Sequence, residues 1–412
     1  MNLPSFYPDP APTAEDTGLP RGLLFELVLK RAFLEGTTTL RRLMNETKLD
    51  YGVVLGVYRN LQKEQLCDTK GMVGDDYEFS LTSRGLRMAE EAYRKNQYVG
   101  PAPVPLATYA RAVRQQGFQP RVNRETLAEH LSDLVVDDAI IRDLGAALMT
   151  GGTLFLYGPT GNGKTSIAER LHRIYHDLVY IPYAVEVSSQ ILSVHDPIVH
   201  GAAEELPPDV DPRWVLCRRP FVVVGGEMDA DLLEPRVDEV TRICLAPLQM
   251  RANNGILVID DFGRQKMQPR ELLNRWIVPL DRKVDYLSLW SGIKFEIPFE
   301  LMVVFATNLE PKQLAEPAFM RRIKNKIKID ATTPEIFHRI MRRVCEGRGI
   351  VYSQEVSDYA CRRCVEENAD GLRACFPRDL TDIICGVAGF EQRAPVLTEQ
   401  EIEQAIHLYF TR

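Results

Sequence analysis

Gly158-Pro159-Thr160-Gly161-Asn162-Gly163-Lys164-Thr165 fits G-x-x-x-x-G-K-[ST] at every fixed position. Its glycines let consecutive backbone N–H groups curl around a phosphate without Cβ clashes. An apolar run, residues 154–157, precedes the loop, and a helical pattern opens at Ser166 and runs to residue 174. That strand–loop–helix order is what the chemistry needs, because the helix start adds its positive end to the cradle. In such a loop Lys164 reaches the outer phosphates of a nucleoside triphosphate, and the Thr165 hydroxyl holds Mg²⁺.

A second requirement is a carboxylate facing the metal from the end of a neighbouring strand. Gly255-Ile256-Leu257-Val258-Ile259-Asp260-Asp261 supplies it, with two acids emerging after four apolar residues. In open α/β sheets that C-terminal edge is where ligands sit. Asp260 is expected to bind Mg²⁺ through water, and Asp261 to orient or deprotonate an attacking water. A third apolar run, Leu301-Met302-Val303-Val304-Phe305-Ala306-Thr307-Asn308, also ends in polar residues. Asn308 can donate to the γ-phosphate or hold the water, although asparagine after a strand is commonly just a turn former.

The elements that must position these groups follow from the same patterning. Short continuous apolar runs at 154–157, 221–224, 256–259 and 302–305 are those of parallel strands covered on both faces. From residue 333 onward the pattern is helical only. At the other end, Leu23, Leu24, Leu27, Val28 and Phe33 have the spacing of an amphipathic helix. Thr37-Thr38-Thr39 can cap a second helix, 40–49, and Asp50 a third, 51–65. A turn at 71–76 and an alternating run at 77–81 then read as a β-wing. The predicted fold is α/β, with a parallel-sheet core, a C-terminal helical lid and an N-terminal winged helix-turn-helix. Its expected boundaries are a flexible arm (1–18), the winged helix (19–94), a Pro-rich linker and lead-in (95–125), the nucleotide-binding core (126–332) and the lid (333–412).

From about Thr126 to Arg412 the chain resembles the AAA+ ATPases. The resemblance makes the 158–165 loop, with Ser166 beyond it, the Walker A element that binds ATP. It makes the strand ending in Asp260 the Walker B strand and Asn308 the sensor-1 residue. Arg321 and Arg322, in Glu316-Pro317-Ala318-Phe319-Met320-Arg321-Arg322, lie where the family has an arginine finger that enters the next subunit's nucleotide site. Arg378, in Phe376-Pro377-Arg378-Asp379-Leu380, resembles the sensor-2 arginine. Leu134-Val135-Val136 precedes the loop where the family packs adenine, which makes Val135 a binding residue. Two alternating runs flank Ser291-Gly292 within 283–299, a hairpin signature. It resembles the insertion of the pre-sensor-1 clade, which includes MoxR-like chaperone ATPases, helicase loaders, chelatase motors and transcription activators. The stretch 182–251 has room for a further insertion. Where most of the family carries Glu after the Walker B Asp, this chain has Asp261, whose carboxylate reaches roughly 1 Å less far, a displacement that can cost about 100-fold in rate.

Composition narrows the rest. With 412 residues, 26% of them charged and 45% hydrophobic, the chain excludes fibrous and wholly disordered readings. No apolar run is long enough to span a bilayer, and the first twenty residues lack the basic flank and apolar stretch of a secretory signal. A cytoplasmic protein with eight reduced cysteines is expected. Cys361-Arg-Arg-Cys364 has zinc-pair spacing, but no second pair follows and the segment reads as helix. Net charge is −7, and residues 1–100 carry 13 basic against 14 acidic side chains. DNA affinity comes largely from neutralised phosphates, so the winged helix is expected to dock protein in preference to DNA. The function these readings imply is an Mg²⁺-dependent, ring-forming ATPase, hexameric by the resemblance, that remodels or chaperones a macromolecular client. DNA-directed work, or a slow nucleotide-gated assembly switch, are the alternatives.

Overall fold

The computed structural model describes residues 4–117, 122–202, 206–314 and 320–410. Its centre is a five-stranded parallel sheet built from Thr153–Tyr157 (β1), Phe221–Val224 (β2), Ile256–Ile259 (β3), Met302–Thr307 (β4) and Asn325–Lys328 (β5). Their order across the sheet is β2-β3-β4-β1-β5, and every neighbouring pair is parallel. Period-2 alternation sends the two sides of each strand into different cores. Leu154, Leu156, Ile256, Val258, Met302 and Val304 join the helices on one face. Phe155, Leu257, Ile259, Val303 and Phe305 pack with Leu272, Leu273 and Trp276 on the other. β5 is the edge strand beside β1, and its Lys326 and Lys328 are exposed, a charge pattern that discourages edge-to-edge pairing.

The N-terminal unit has helices Arg21–Glu35, Leu40–Thr47 and Tyr51–Lys63, followed by the hairpin Cys67–Val73 and Asp76–Leu81. Thr39 and Asp50 cap the second and third helices, accepting from Arg42 N–H and Gly52 N–H. Two features depart from the sequence reading. Thr37–Thr39 is a third strand paired with the hairpin before Thr39 turns to capping. A fourth helix, Ser83–Lys95, buries only Gly85, Ala89 and Ala92, so its inner stripe is too small to register as hydrophobic periodicity.

The stretch expected to have room for an insertion holds β structure. Strands Ala184–Val187, Gln190–Ser193, Arg236–Val237 and Cys244–Leu245 form a mixed sheet, and Leu178–Pro182 pairs with Trp214–Arg218 in a separate ribbon. This module organises the proline-rich segments. Val104–Pro105 adds to its sheet beside Val185 and Glu186. Ala102 N–H donates to Thr47 O and Gln97 N–H to Thr241 O. The described part of the arm is docked as well: Phe6 is 3% exposed against Trp214, with ring centroids 5.2 Å apart. Residues 4–18 and 95–117 are therefore fixed in this structure, where proline content alone reads as a free arm and linker. Proline disfavours helix without preventing docking.

The helices Pro334–Gly347, Gln354–Glu367, Phe376–Phe390 and Glu399–Tyr409 close the chain around their own core, which includes Phe337, Met341, Leu380 and Ile402. Among the described residues, no helix is long and apolar enough to cross a membrane.

Candidate functional site

The 158–165 loop leaves β1 at the C-terminal edge of the sheet. Gly158, Gly161 and Gly163 have φ of +131°, +77° and +83°. A Cβ at Gly158 would stand 2.1 Å from Ile329 O, so backbone crowding as well as torsion requires glycine there. Gly163 opens the helix Lys164–Arg170 with no side-chain cap, which leaves the first N–H groups of that helix facing the loop's interior. Lys164 is folded back, donating from Nζ to Gly158 O at 2.9 Å and Pro159 O at 2.8 Å. Burial pulls its pKa below the usual lysine value, while Asp260 and Asp261 act in the opposite sense.

Thr165 Oγ1 donates to Asp260 Oδ1 at 2.9 Å and lies 3.1 Å from Oδ2. The register explains the meeting, because β1 and β3 flank β4 and all three end at one edge, with Tyr157 opposite Thr307 and Ile259 opposite Phe305. Asp261 N–H also donates to Asp260 Oδ1, at 3.0 Å. Asp261 itself is exposed and adopts φ of +47°. The turn is stapled to the end of β4: Phe262 N–H donates to Ala306 O, and Thr307 Oγ1 donates to Phe262 O at 2.6 Å. Asn308, half-buried, is the next residue, so Asp260, Asp261, Asn308 and the loop share one edge. A hydroxyl and a carboxylate side by side are hard oxygen donors of the kind Mg²⁺ takes when phosphate and water complete its shell.

Other expected residues lie around this edge or away from it. Pro159 is half-buried and Thr160 exposed on the loop, and Ser166 sits in the first turn of the helix. Val135 is half-buried in a lead-in segment whose Leu134 and Val136 pack against the sheet's core. Asp133 beside them pairs with Arg170 and Arg173 from beyond the loop. Arg321 and Arg322 precede β5, which runs parallel to β1, so they stand at the sheet edge opposite the loop. Arg322 Nε donates to Asp281 at 2.7 Å, whereas Arg321 is exposed. Residues 316–319 of that motif lie outside the described residues. Arg378 is exposed on its helix.

One charged residue of the C-terminal unit that meets the loop is Arg373, which no sequence pattern singles out. Its Cδ lies 3.3 Å from where a Gly161 Cβ would be, and Nη2 is 3.1 Å from Asp370. Its Nε is buried with no partner among the described residues. No periodicity marks it, since it lies in a turn before a helix. The hairpin expected around Ser291-Gly292 is present, with Val284–Ser288 paired to Lys294–Pro298 and Gly292 at φ of +83°. Its inner residues Leu287, Phe295 and Ile297 are buried on the inserted β module, while Trp290 at the tip is 75% exposed.

A family model described as a domain of unknown function (DUF8689) matches residues 333–408, which is the four-helix unit. No curated protein matches the sequence. Three solved structures of variants of the RuvB protein of Thermotoga maritima are similar at 11–12% identity, with 70% of each chain covered and TM-scores of 0.36 to 0.38. At that distance they bear on no residue of the site.

Proposed function

We propose that this protein is an AAA+-type, Mg²⁺-dependent ATPase with an N-terminal winged helix. The observation that carries the reading is the Thr165–Asp260 hydrogen bond beside a loop whose three glycines take positive φ. In this reading the loop's N–H groups bind the phosphates, and Lys164 leaves the carbonyls of Gly158 and Pro159 for the outer phosphate oxygens. Thr165 and Asp260 would hold Mg²⁺, which when bound neutralises phosphate charge. Asp261 and Asn308 position and activate the water for in-line attack on the γ-phosphorus, and Val135 packs near the base. Arg321 acts on a neighbouring subunit's site, which requires an oligomer, and a hexameric ring is the arrangement proposed.

The proposed work is remodelling or chaperoning of a protein client, with the exposed Trp290 hairpin tip as a moving contact. Protein docking through the winged helix is supported over DNA binding. The Pro12 carbonyl crowds the third helix at Gly52, Arg41 is tied to Asp75 of the wing turn, and Met72 and Val73 are apolar side chains exposed beside that turn. The exposed, shortened Asp261 favours one second reading, a slow nucleotide-gated switch of assembly.

Measuring ATP turnover and particle size together, with and without Mg²⁺ and duplex DNA, tests these readings. Turnover that Lys164→Ala abolishes supports the ATPase. ATP-dependent assembly with negligible turnover supports the switch, and indifference to ATP defeats both.

A further inference from the structure

The loop contacts the four-helix unit more closely than phosphate binding alone requires. Asn162 is 6% exposed, and its Oδ1 accepts from Ala374 N–H at 3.0 Å and from Thr332 Oγ1 at 3.2 Å. Beside it Cys375 N–H donates to Gly161 O at 2.9 Å. A backbone N–H needs an oxygen acceptor, which fixes the orientation of the amide. Its Nδ2 is then buried without an acceptor among the described residues. The approach is tight, since a Cβ on Gly161 would lie 2.7 Å from Cys375 Sγ. Residues 161 and 162 thus hold the turn that leads into helix Phe376–Phe390.

We propose that Asn162 is a positioning residue that latches the helical unit to the phosphate loop and couples the two. The proposal rests on the nucleotide-binding reading. In a phosphate loop the N–H groups turn toward the anion, so the Gly161 carbonyl and the Asn162 side chain are left to face the helical unit. An anion that resets the peptides at 161–163 also moves the acceptors of Ala374 and Cys375. Phosphate binding and lid docking then share one coupling free energy, which acts equally in both directions. The latch also keeps Arg373 beside Gly161.

Hydrogen exchange of the peptide covering residues 370–378 tests this in the full chain. Wild type, Asn162→Leu and Asn162→Asp are compared, each with and without a non-hydrolysable ATP analogue and Mg²⁺. Without analogue, Asn162→Leu should lose about tenfold in protection at Ala374 and Cys375, while Asn162→Asp keeps it because an acceptor oxygen remains. The analogue should change exchange of this peptide in wild type and bind several-fold more weakly to Asn162→Leu. Wild-type exchange in Asn162→Leu would overturn the latch, and bound analogue with unchanged exchange in wild type would overturn the coupling. Failure of wild type to bind the analogue defeats the nucleotide reading instead, and the comparison without analogue still decides the latch.

Discussion

Thr165 and Asp260 are hydrogen-bonded at 2.9 Å across 95 residues of sequence, the one from the start of a helix and the other from a strand end. Both contribute side-chain oxygens at the C-terminal edge of the sheet. Asp260→Asn keeps the size and the acceptor oxygen but removes the charge. It should leave the melting temperature within a few degrees and lower Mg²⁺-dependent ATP turnover by about 100-fold or more. Asp261→Ala should bind nucleotide normally and turn it over at background rate. Turnover by Asp261→Ala equal to wild type removes that residue from the mechanism.

Four arginines, Arg373 beside the loop, Arg378 on its helix, and Arg321 and Arg322 at the opposite sheet edge, should separate by assay. Arg373, with a buried unpartnered Nε beside Gly161, should weaken nucleotide binding about tenfold when changed to Ala, the loss of one charge-assisted hydrogen bond. Arg378→Ala should stay within about twofold, since Arg378 is exposed on its helix. Arg321→Ala should bind nucleotide but lose about 10³-fold in turnover, as expected of a charge supplied in trans. Arg322 is engaged with Asp281, and its loss should cost about 1 kcal/mol or less in stability. Titrations of a fluorescent nucleotide alongside turnover would expose any exchange of roles.

Much of this arrangement was legible in residue patterning, and the rest was hidden for identifiable reasons. The strands ending at Tyr157, Ile259 and Thr307 carry short continuous apolar runs (154–157, 256–259 and 302–306), so the polar residues that follow stand out as an edge. The loop's glycines announce themselves because few other residues tolerate those torsions. Arg373 was invisible because a turn residue has no period, and its significance comes from Gly161, more than 200 positions earlier. Helix Ser83–Lys95 was missed because Gly85, Ala89 and Ala92 give it a small-residue core stripe. The docking of Phe6 on Trp214 rests on a single aromatic within a proline-rich run, and one residue makes no pattern.

Arg213 ties three separate segments together. Its guanidinium pairs with Asp211 at 2.8 Å and donates to Thr17 O and Pro103 O, all of it buried. Removing one partner of a buried pair strands the other charge, so Arg213→Ala should cost about 3–5 kcal/mol. The loss should appear locally, because the arm and the 95–117 segment depend on those carbonyl contacts. Limited proteolysis should cut within residues 4–18 or 95–117 in the variant and spare wild type. Equal cleavage would show that apolar packing alone holds these segments.

His200 predicts an acid-labile step in the inserted module. Its Nδ1 accepts from Asp196 N–H at 2.9 Å and its Nε2 lies 2.7 Å from Arg251 O, an arrangement only the neutral Nε2–H tautomer satisfies. Burial pushes its pKa down to about 4 from 6.5, with the ring of His195 5.6 Å away and the Arg251 charge acting in the same sense. Asp196 and the Arg251 carbonyl act the other way. Because the folded value is the lower one, the unfolded chain binds the proton more readily. Stability is therefore complete above about pH 6.5 and falls as pH drops toward 4, by about 3 kcal/mol over the whole window. His200→Gln replaces the ring with a side chain that does not titrate, so urea unfolding of this variant should be flatter between pH 6.5 and 4.5 than that of wild type. Parallel pH profiles for the two proteins would mean that other groups govern acid stability.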